Sequence, residues 1–479
     1  MSAPAAASAA PVASDATVQR PDNEQQRQED DSATGCSVSE TAFNLLNTIC
    51  GSGLLGLPFA LREGGFWFTA FAILVSPYVA NFGLYVLIKA GARKGIFDFP
   101  QLALTTTGRA GQQFLNFAVL VSCIGCTLSY LIIAGDVLPP LVTQYLPGYF
   151  YDYVYTREFA ILASAIGFVL PLLFFRTLAP LASASIVSVL CLPVILLLVA
   201  VRGPLHAADH PHTYRTFGDR IFSALAMVSF SFVSSQSAFP IFVTMADRTP
   251  SSWFKATTLA TTGAVLVSLT FAVIGYISFG DDIMANLFKN FPLDDVYINV
   301  ARFLLALELL LTYPMLFYPA RTLILSSIGF ESSERQSSQN VHIVSTVILF
   351  ILTVFGAINI TDLGLVFKVI GAVAASALAF ICPAVVYLAV YGVSVGGRKP
   401  LQPASSEDEA NTATDYSETE DAPLLNQQGE ATPESGLDVE AARARRLKLR
   451  NGSLFLLSFG VLIFTTGTWA SLQEILAKN

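Results

Sequence analysis

Hydrophobic residues along this 479-residue chain fall into long blocks almost free of charge, separated by short polar stretches. A hydrocarbon layer about 30 Å thick takes about 20 apolar residues of helix. On that rule the blocks predict spans near 38–62, 66–90, 112–143, 157–175, 180–202, 218–244, 256–280, 294–325, 340–358, 362–392 and 453–472. The expected fold is therefore an all-α polytopic membrane protein of eleven transmembrane helices. The third, eighth and tenth are long enough to tilt or to project beyond the lipid.

Two of these blocks break the apolar pattern at matching places. The first contains Asn44-Leu-Leu-Asn-Thr-Ile-Cys-Gly-Ser-Gly-Leu-Leu-Gly-Leu-Pro-Phe-Ala60, with three glycines, a proline and two asparagines. A helix that only crosses lipid avoids these residues, because Gly and Pro weaken its interior and Asn must hide its amide. The sixth contains Ser229-Phe-Ser-Phe-Val-Ser-Ser-Gln-Ser-Ala-Phe-Pro240, a serine run closed by a proline. One opens spans 1–5 and the other opens spans 6–10. That spacing predicts a 5+5 inverted repeat, with a ligand site where the broken helices meet and the eleventh helix outside the repeat. The competing reading of the Gly-rich break is a kink that lets helices pack closely.

Composition agrees with a membrane body: 53% of residues are hydrophobic and 13% charged, and mean hydropathy is +0.58. The net charge of −8 belongs to the polar ends. Residues 1–40 hold seven acids and two bases, residues 393–450 eleven acids and seven bases, leaving the rest near +1. Residues 1–37 have no signal-peptide pattern and read as a disordered cytosolic tail. Residues 38–392 form the ten-helix core, 393–452 a disordered acidic cytosolic loop, 453–472 the last helix and 473–479 an extracytosolic C-terminus. With the N-terminus inside, eighteen Lys and Arg fall on the cytosolic side and seven outside, as the positive-inside bias requires. Within the long loop, Glu420-Asp-Ala-Pro-Leu-Leu425 resembles an acidic dileucine sorting signal. Glu420, Leu424 and Leu425 are thus candidate contacts for a clathrin adaptor, against the alternative that so short a pattern arises by chance.

Around the first break, a helix restarting at Leu54 presents unpaired N–H groups and the positive end of its dipole, which suits a carboxylate. Gly51 and Gly53 let a ligand approach the backbone beside Ser52. Unwound carbonyls here and over residues 231–236, around Ser231, Ser234 and Ser235, suit an ammonium group. A zwitterion satisfies both ends, so an α-amino acid is the natural ligand. Asn47 lies one turn before Gly51, and Thr312 lies near the middle of the eighth span, beside carbonyls freed by Pro314 and Pro319. Together they offer oxygens for a small cation; separately, each reads as a satisfied interhelical hydrogen bond.

These runs resemble a known family. Asn44–Ala60 looks like the first-helix signature of the amino acid/auxin permease family. Leu311-Thr-Tyr-Pro-Met-Leu-Phe-Tyr-Pro-Ala-Arg321 resembles its sodium-coupled neutral amino acid transporter branch, as do Val369-Ile-Gly-Ala-Val-Ala-Ala-Ser376 and Phe380-Ile-Cys-Pro-Ala-Val-Val-Tyr387. The resemblance covers 38–392 and the last helix. It implies a leucine-transporter-like fold and Na+- or H+-coupled movement of amino acids, with Asn47 and Thr312 at the positions that ligate Na+ in the sodium-coupled branch. Two departures stand out. Ser235 occupies the place where many sodium-coupled members carry His in Phe-x-Phe-x-x-His, and the external cysteine pair of several members is absent. A second class of function is an amino acid sensor that signals through its cytosolic tails.

Other ionisable residues carry two readings each. Glu308, one turn before Thr312, is either a proton relay or a partner in a structural hydrogen bond or ion pair. Lys368 favours structural pairing, and Asp136 reaches toward the interface. His206, His210, His212, Asp281, Asp282, Asp294 and Asp295 read as solvated loop residues. Cys123 and Cys126 form a CxxC on an apolar helix without further ligands nearby, which favours packing over metal or redox use. No nucleophile with its base, no Walker A motif and no metal-ligand cluster appears. Neither an enzyme, an ATP-driven pump nor a nucleic-acid binder is expected; beyond the coupling ion no cofactor is needed.

Overall fold

The computed structural model describes residues 35–146, 148, 152–174, 182–330, 338–391 and 436–478. Most of the N-terminal tail and the stretch 392–435, which carries Glu420, Leu424 and Leu425, lie outside the described residues. Among the described residues, nine helices are long and apolar enough to cross a membrane, or ten when the bent first pair counts as one span. The fourth expected span appears as Arg157–Ser164, a wide turn Ala165–Val169 and Leu170–Leu173.

The helices begin where a side chain can satisfy the first free N–H groups. Ser37 and Glu40 cap each other reciprocally ahead of Val38–Ile49. Asp98, Thr156, Thr249, Asp295, Ser338 and Asp362 each accept from a first-turn amide. An uncapped start at the edge of a bilayer leaves donors unsatisfied, and a cap is worth about 1 kcal/mol.

The third span follows a break at Gly108, whose φ of 76° no other residue adopts easily; a short helical stretch from Phe99 precedes that break, and the span itself ends at Tyr145. One boundary differs from expectation. The last helix begins at Gly436 rather than 453, so the basic run Arg443–Arg450 is helical and continuous with the eleventh span.

Around the site, the second half of the first span packs on the sixth, and the seventh packs on both halves of the first and on the second. The eighth, Val296–Ser327, lies along the third and fifth. The last helix packs on the tenth and sixth. The tenth is Leu363–Val369, two wide π turns (Ile370–Ala375 and Ala377–Ile381) and Cys382–Val390. Its small residues let the sixth approach so closely that a Cβ on Gly371 would strike the Ala226 carbonyl. Phe71, Leu197, Phe355 and Trp469 remain exposed on outward faces, as a lipid-facing surface requires.

Candidate substrate and ion site

The first span bends by 59° between Val38–Ile49 and Gly53–Gly64. Within the break, the Gly51 amide donates to the Ile49 carbonyl at 2.9 Å, Leu54 to Gly51 at 3.1 Å and Leu55 to Ser52 at 3.2 Å. The donors left over are the Ser52 and Gly53 amides, for which no backbone or side-chain acceptor is found among the described residues. The expectation placed the restart at Leu54; it comes one residue earlier, because the Leu54 N–H is already turned back to Gly51. A Cβ on Gly51 would meet nothing within 4 Å, so open space lies beside these amides. Gly53 is different: a Cβ there would sit 2.7 Å from the Ser231 Cα.

That contact joins the two breaks. The sixth span runs as Ile221–Ser231, an irregular stretch, a short 3₁₀ turn Ser235–Ser237 and Ala238–Phe242. The Ser231 hydroxyl donates to the Gly53 carbonyl at 2.7 Å and lies 3.0 Å from that of Met227. Ser52, Ser231, Ser234 and Ser235 are all buried. The Ser234 hydroxyl and the Gln236 side-chain carbonyl have no hydrogen-bond partner among the described residues. A buried orphan of this kind costs about 1–3 kcal/mol, which a polar ligand removes. Gln236 lies inside the serine run and carries no separate signal there, since an amide in a serine-rich stretch looks like more of the same polarity. Tyr130 of the third helix, which reaches the Ser52 side chain, carried no sequence signal.

No hydrogen bond joins Asn47 to Thr312 among the described residues. Asn47 is exposed on the first half-helix, which packs on the seventh span. Thr312 is half-buried and donates to the Glu308 carbonyl at 2.8 Å. Glu308 itself is buried, and its side chain lines a small cavity beneath the break with Gly51 and Ser52.

The opposite end of the first span is closed by charge. Lys368 is 1% exposed and sits 2.9 Å from both Glu63 and Glu474. Arg220 meets the same two carboxylates at 3.4 and 3.3 Å. Lys368 is thus structurally paired, with a partner on the last helix. Backbone bonds brace the same place, from Gly218 N–H to the Gly64 carbonyl at 2.8 Å and from Arg220 N–H to that of Glu63 at 3.0 Å.

Several loop residues expected in solvent are engaged instead. Asp281 accepts from Thr213 at 2.6 Å and from Tyr276 at 3.0 Å. Asp295 is buried and pairs with Arg202 at 2.8 Å. His210 meets Asp282 at 3.0 Å, His212 meets the Ile277 carbonyl at 2.7 Å, and His206 stacks on Phe279. Asp136 is tucked inward against Arg157 and Asn286, both at 3.2 Å. Asp136 and Asp295 are withdrawn from water, whereas Asp282 keeps over half of its side chain in solvent and pairs with His210 at the surface. Cys123 and Cys126 are buried and unbonded, and no cluster of three or more His, Cys, Asp or Glu suits a metal among the described residues.

Known proteins match this architecture. A model of the family described as transmembrane amino acid transporter protein matches residues 34–403. The chain belongs to that family. "Putative sodium-coupled neutral amino acid transporter 11" of Bos taurus is 29% identical over 360 residues, which is 74% of this chain and 76% of the relative. "Vacuolar amino acid transporter 5" of Schizosaccharomyces pombe is 26% identical over 371 residues, 76% of this chain and 87% of the relative. A solved structure, Mhp1 in its inward-facing conformation, aligns with a TM-score of 0.54 over 92% of both chains at 14% identity, a likeness of fold. Membership makes this chain a multi-pass membrane protein of an amino acid transporter family, and not an enzyme.

Proposed function

We propose that this chain is a secondary active transporter that moves neutral amino acids by alternating access, coupled to Na+ or H+. The observation that carries the reading is the pair of fused breaks. The Ser52 and Gly53 amides have no acceptor among the described residues, open space lies beside Gly51, and one bond ties this break to the sixth-span break that holds the orphaned Ser234 hydroxyl. The amides suit the substrate carboxylate, and the carbonyls around Ser231, Ser234 and Ser235 suit its ammonium group. The Ser231 hydroxyl is engaged with Gly53, so its carbonyl is the group on offer. Asn47 and Thr312 form the cation site once Asn47 turns inward. Breaks in the first and sixth spans support eleven helices in a leucine-transporter-like 5+5 repeat plus one, with a cytosolic N-terminus. A relative named as vacuolar, together with the acidic dileucine at Glu420, Leu424 and Leu425, favours a vacuolar or lysosomal membrane over the cell surface and a clathrin adaptor as partner.

Purified protein in liposomes tests the reading. Labelled alanine, serine, glutamine and leucine should exchange across the membrane in counterflow and accumulate under an imposed Na+ or pH gradient. Ligand-induced thermal stabilisation with no uptake of any of them would instead identify a sensor.

A further inference from the structure

Between the start of the sixth span and the end of the last helix lies a groove of about 830 Å³. Along the last helix it follows Thr466, Ala470, Gln473 and Ala477, spaced four, three and four residues and hence one helix face. From Thr465 to Ala477 it runs about 18 Å, slightly more than half of a hydrocarbon core about 30 Å thick. Its apolar part includes Ala470 and the exposed rings of Phe222 and Trp469. Thr465 and Thr466 turn their hydroxyls back to the Val461 and Leu462 carbonyls, so that part offers no free hydroxyl proton. The other end is polar, where Asp219, Arg220, Gln473 and Glu474 meet. Arg220 touches Glu63 and Glu474 through one nitrogen, Nη1, at 3.4 and 3.3 Å, while Lys368 already serves both carboxylates at 2.9 Å. Its Nε and Nη2 have no acceptor among the described residues, and its side chain is 51% exposed. Asp219 and Gln473 are exposed, and their side chains have no polar partner among the described residues.

A guanidinium with a free edge suits a phosphate, and a free carboxylate beside it suits an ammonium group. Charge narrows the choice. Glu63, Glu474 and Asp219 stand against Arg220 and Lys368, which leaves the polar end one negative charge in excess. A ligand with phosphate alone is therefore poorly matched, and one with both groups is well matched. The apolar length below calls for a hydrocarbon chain. We propose that this groove binds a phospholipid with a primary-amine headgroup, phosphatidylethanolamine. Its phosphate lies on Arg220, its ammonium on Asp219, and one acyl chain runs past Phe222, Trp469 and Ala470. An exposed Trp one to two turns from the charges suits the headgroup level of a bilayer. The Nη1 contacts of Arg220 stay in place while its free edge is filled, so bound lipid reinforces the charge cluster. It thereby fastens the last helix to the ends of the first and sixth.

The full chain, delipidated in detergent and given lipids of identical chains and one headgroup at a time, tests this by native mass spectrometry and thermal unfolding. Phosphatidylethanolamine should be retained at one molecule per chain and should raise Tm. Phosphatidylcholine, whose methylated amine donates no hydrogen bond, and phosphatidylglycerol, which has no amine, should each bind about tenfold more weakly. Phosphoethanolamine without chains should neither bind nor stabilise at the same concentration. Asp219→Asn should lower ethanolamine-lipid binding about tenfold, to the level of the glycerol lipid. Ala470→Phe fills the groove without altering a charged residue and should abolish retention. Equal retention and stabilisation by all three lipids overturns the proposal, as does ethanolamine-lipid binding that neither variant weakens. Binding of chain-free phosphoethanolamine overturns it in favour of a soluble ligand. A dimer that forms on delipidation and is lost in Ala470→Phe overturns it in favour of a second copy of this chain. If Ala470→Phe fails to fold, the loss of headgroup preference in Asp219→Asn decides alone.

Discussion

Gly51 and Gly53 stand two residues apart in the same break, yet the structure assigns them opposite sensitivities to a single methyl group. At Gly53, an alanine Cβ would lie 2.7 Å from Ser231 Cα and 3.0 Å from its hydroxyl. The nearest atom is backbone, so the two helices must part by about 1 Å to regain ordinary contact, and such overpacking costs about 1–3 kcal/mol. Separation also stretches the 2.7 Å bond from Ser231 to the Gly53 carbonyl, worth about 1 kcal/mol. The better helix propensity of alanine returns at most about 1 kcal/mol. The net expectation for Gly53→Ala is a loss of about 2 kcal/mol. At Gly51 the same methyl meets nothing within 4 Å, so Gly51→Ala should leave stability within about 0.5 kcal/mol. The methyl does enter the space proposed for substrate. Thermal unfolding in detergent and uptake kinetics in liposomes separate the two effects. Gly53→Ala should unfold at clearly lower temperature, whereas Gly51→Ala should unfold normally and show a KM raised severalfold. A Gly53→Ala protein as stable as the parent would refute the packing argument, and an unchanged KM in Gly51→Ala would refute the location of the site.

Three further predictions follow from the surrounding contacts. Lys368→Met leaves Glu63 and Glu474 with Arg220 as their shared partner and should cost up to about 3 kcal/mol; adding Glu474→Gln should restore part of it, and strict additivity in a double-mutant cycle would contradict the observed pairing. Ser231→Ala removes the clasp between the breaks and should destabilise by about 1–3 kcal/mol, measured as a drop in Tm, with Ser231→Thr milder. Burial works against the Asp295 carboxylate, but Arg202 and the amides of Ile298 and Tyr297 overcome it and hold its pKa below the usual value. A depressed folded-state pKa contributes stability above the ordinary carboxylate range and loses it as pH falls through the lowered value. Asp295→Asn should therefore lower Tm at pH 7 and approach the parent as the medium is acidified toward pH 3; a gap that stays constant with pH would exclude the ion pair as its cause.

The breaks were legible in the sequence because Gly, Asn and a serine run are costly inside lipid, and their cost announces a purpose. Span positions were legible for the same reason. What escaped is what depends on contacts between distant residues. Lys368 and Glu474 are 106 positions apart, and nothing local to either one identifies the other. Nothing local joins Asp295 to Arg202, 93 positions earlier, yet the fold places them 2.8 Å apart. Asn47 and Thr312 show the converse difficulty: each residue type fits a cation site, yet the structure leaves Asn47 exposed and Thr312 hydrogen-bonded to the Glu308 carbonyl.

The two broken helices are fastened to each other at three heights. Gly64 holds Gly218 at one end, Gly53 holds Ser231 in the middle, and Cys36 bonds to Thr244 and Ala246 at 2.8 and 3.0 Å at the other. Rods riveted this way behave as a beam: they tilt as one piece but do not open like scissors. For Val38–Ile49 to swing alone, the two rivets at Cys36 must shear first, at about 0.5–1.5 kcal/mol each. The cheaper motion is therefore a tilt of the pair as one piece, with all of these bonds kept.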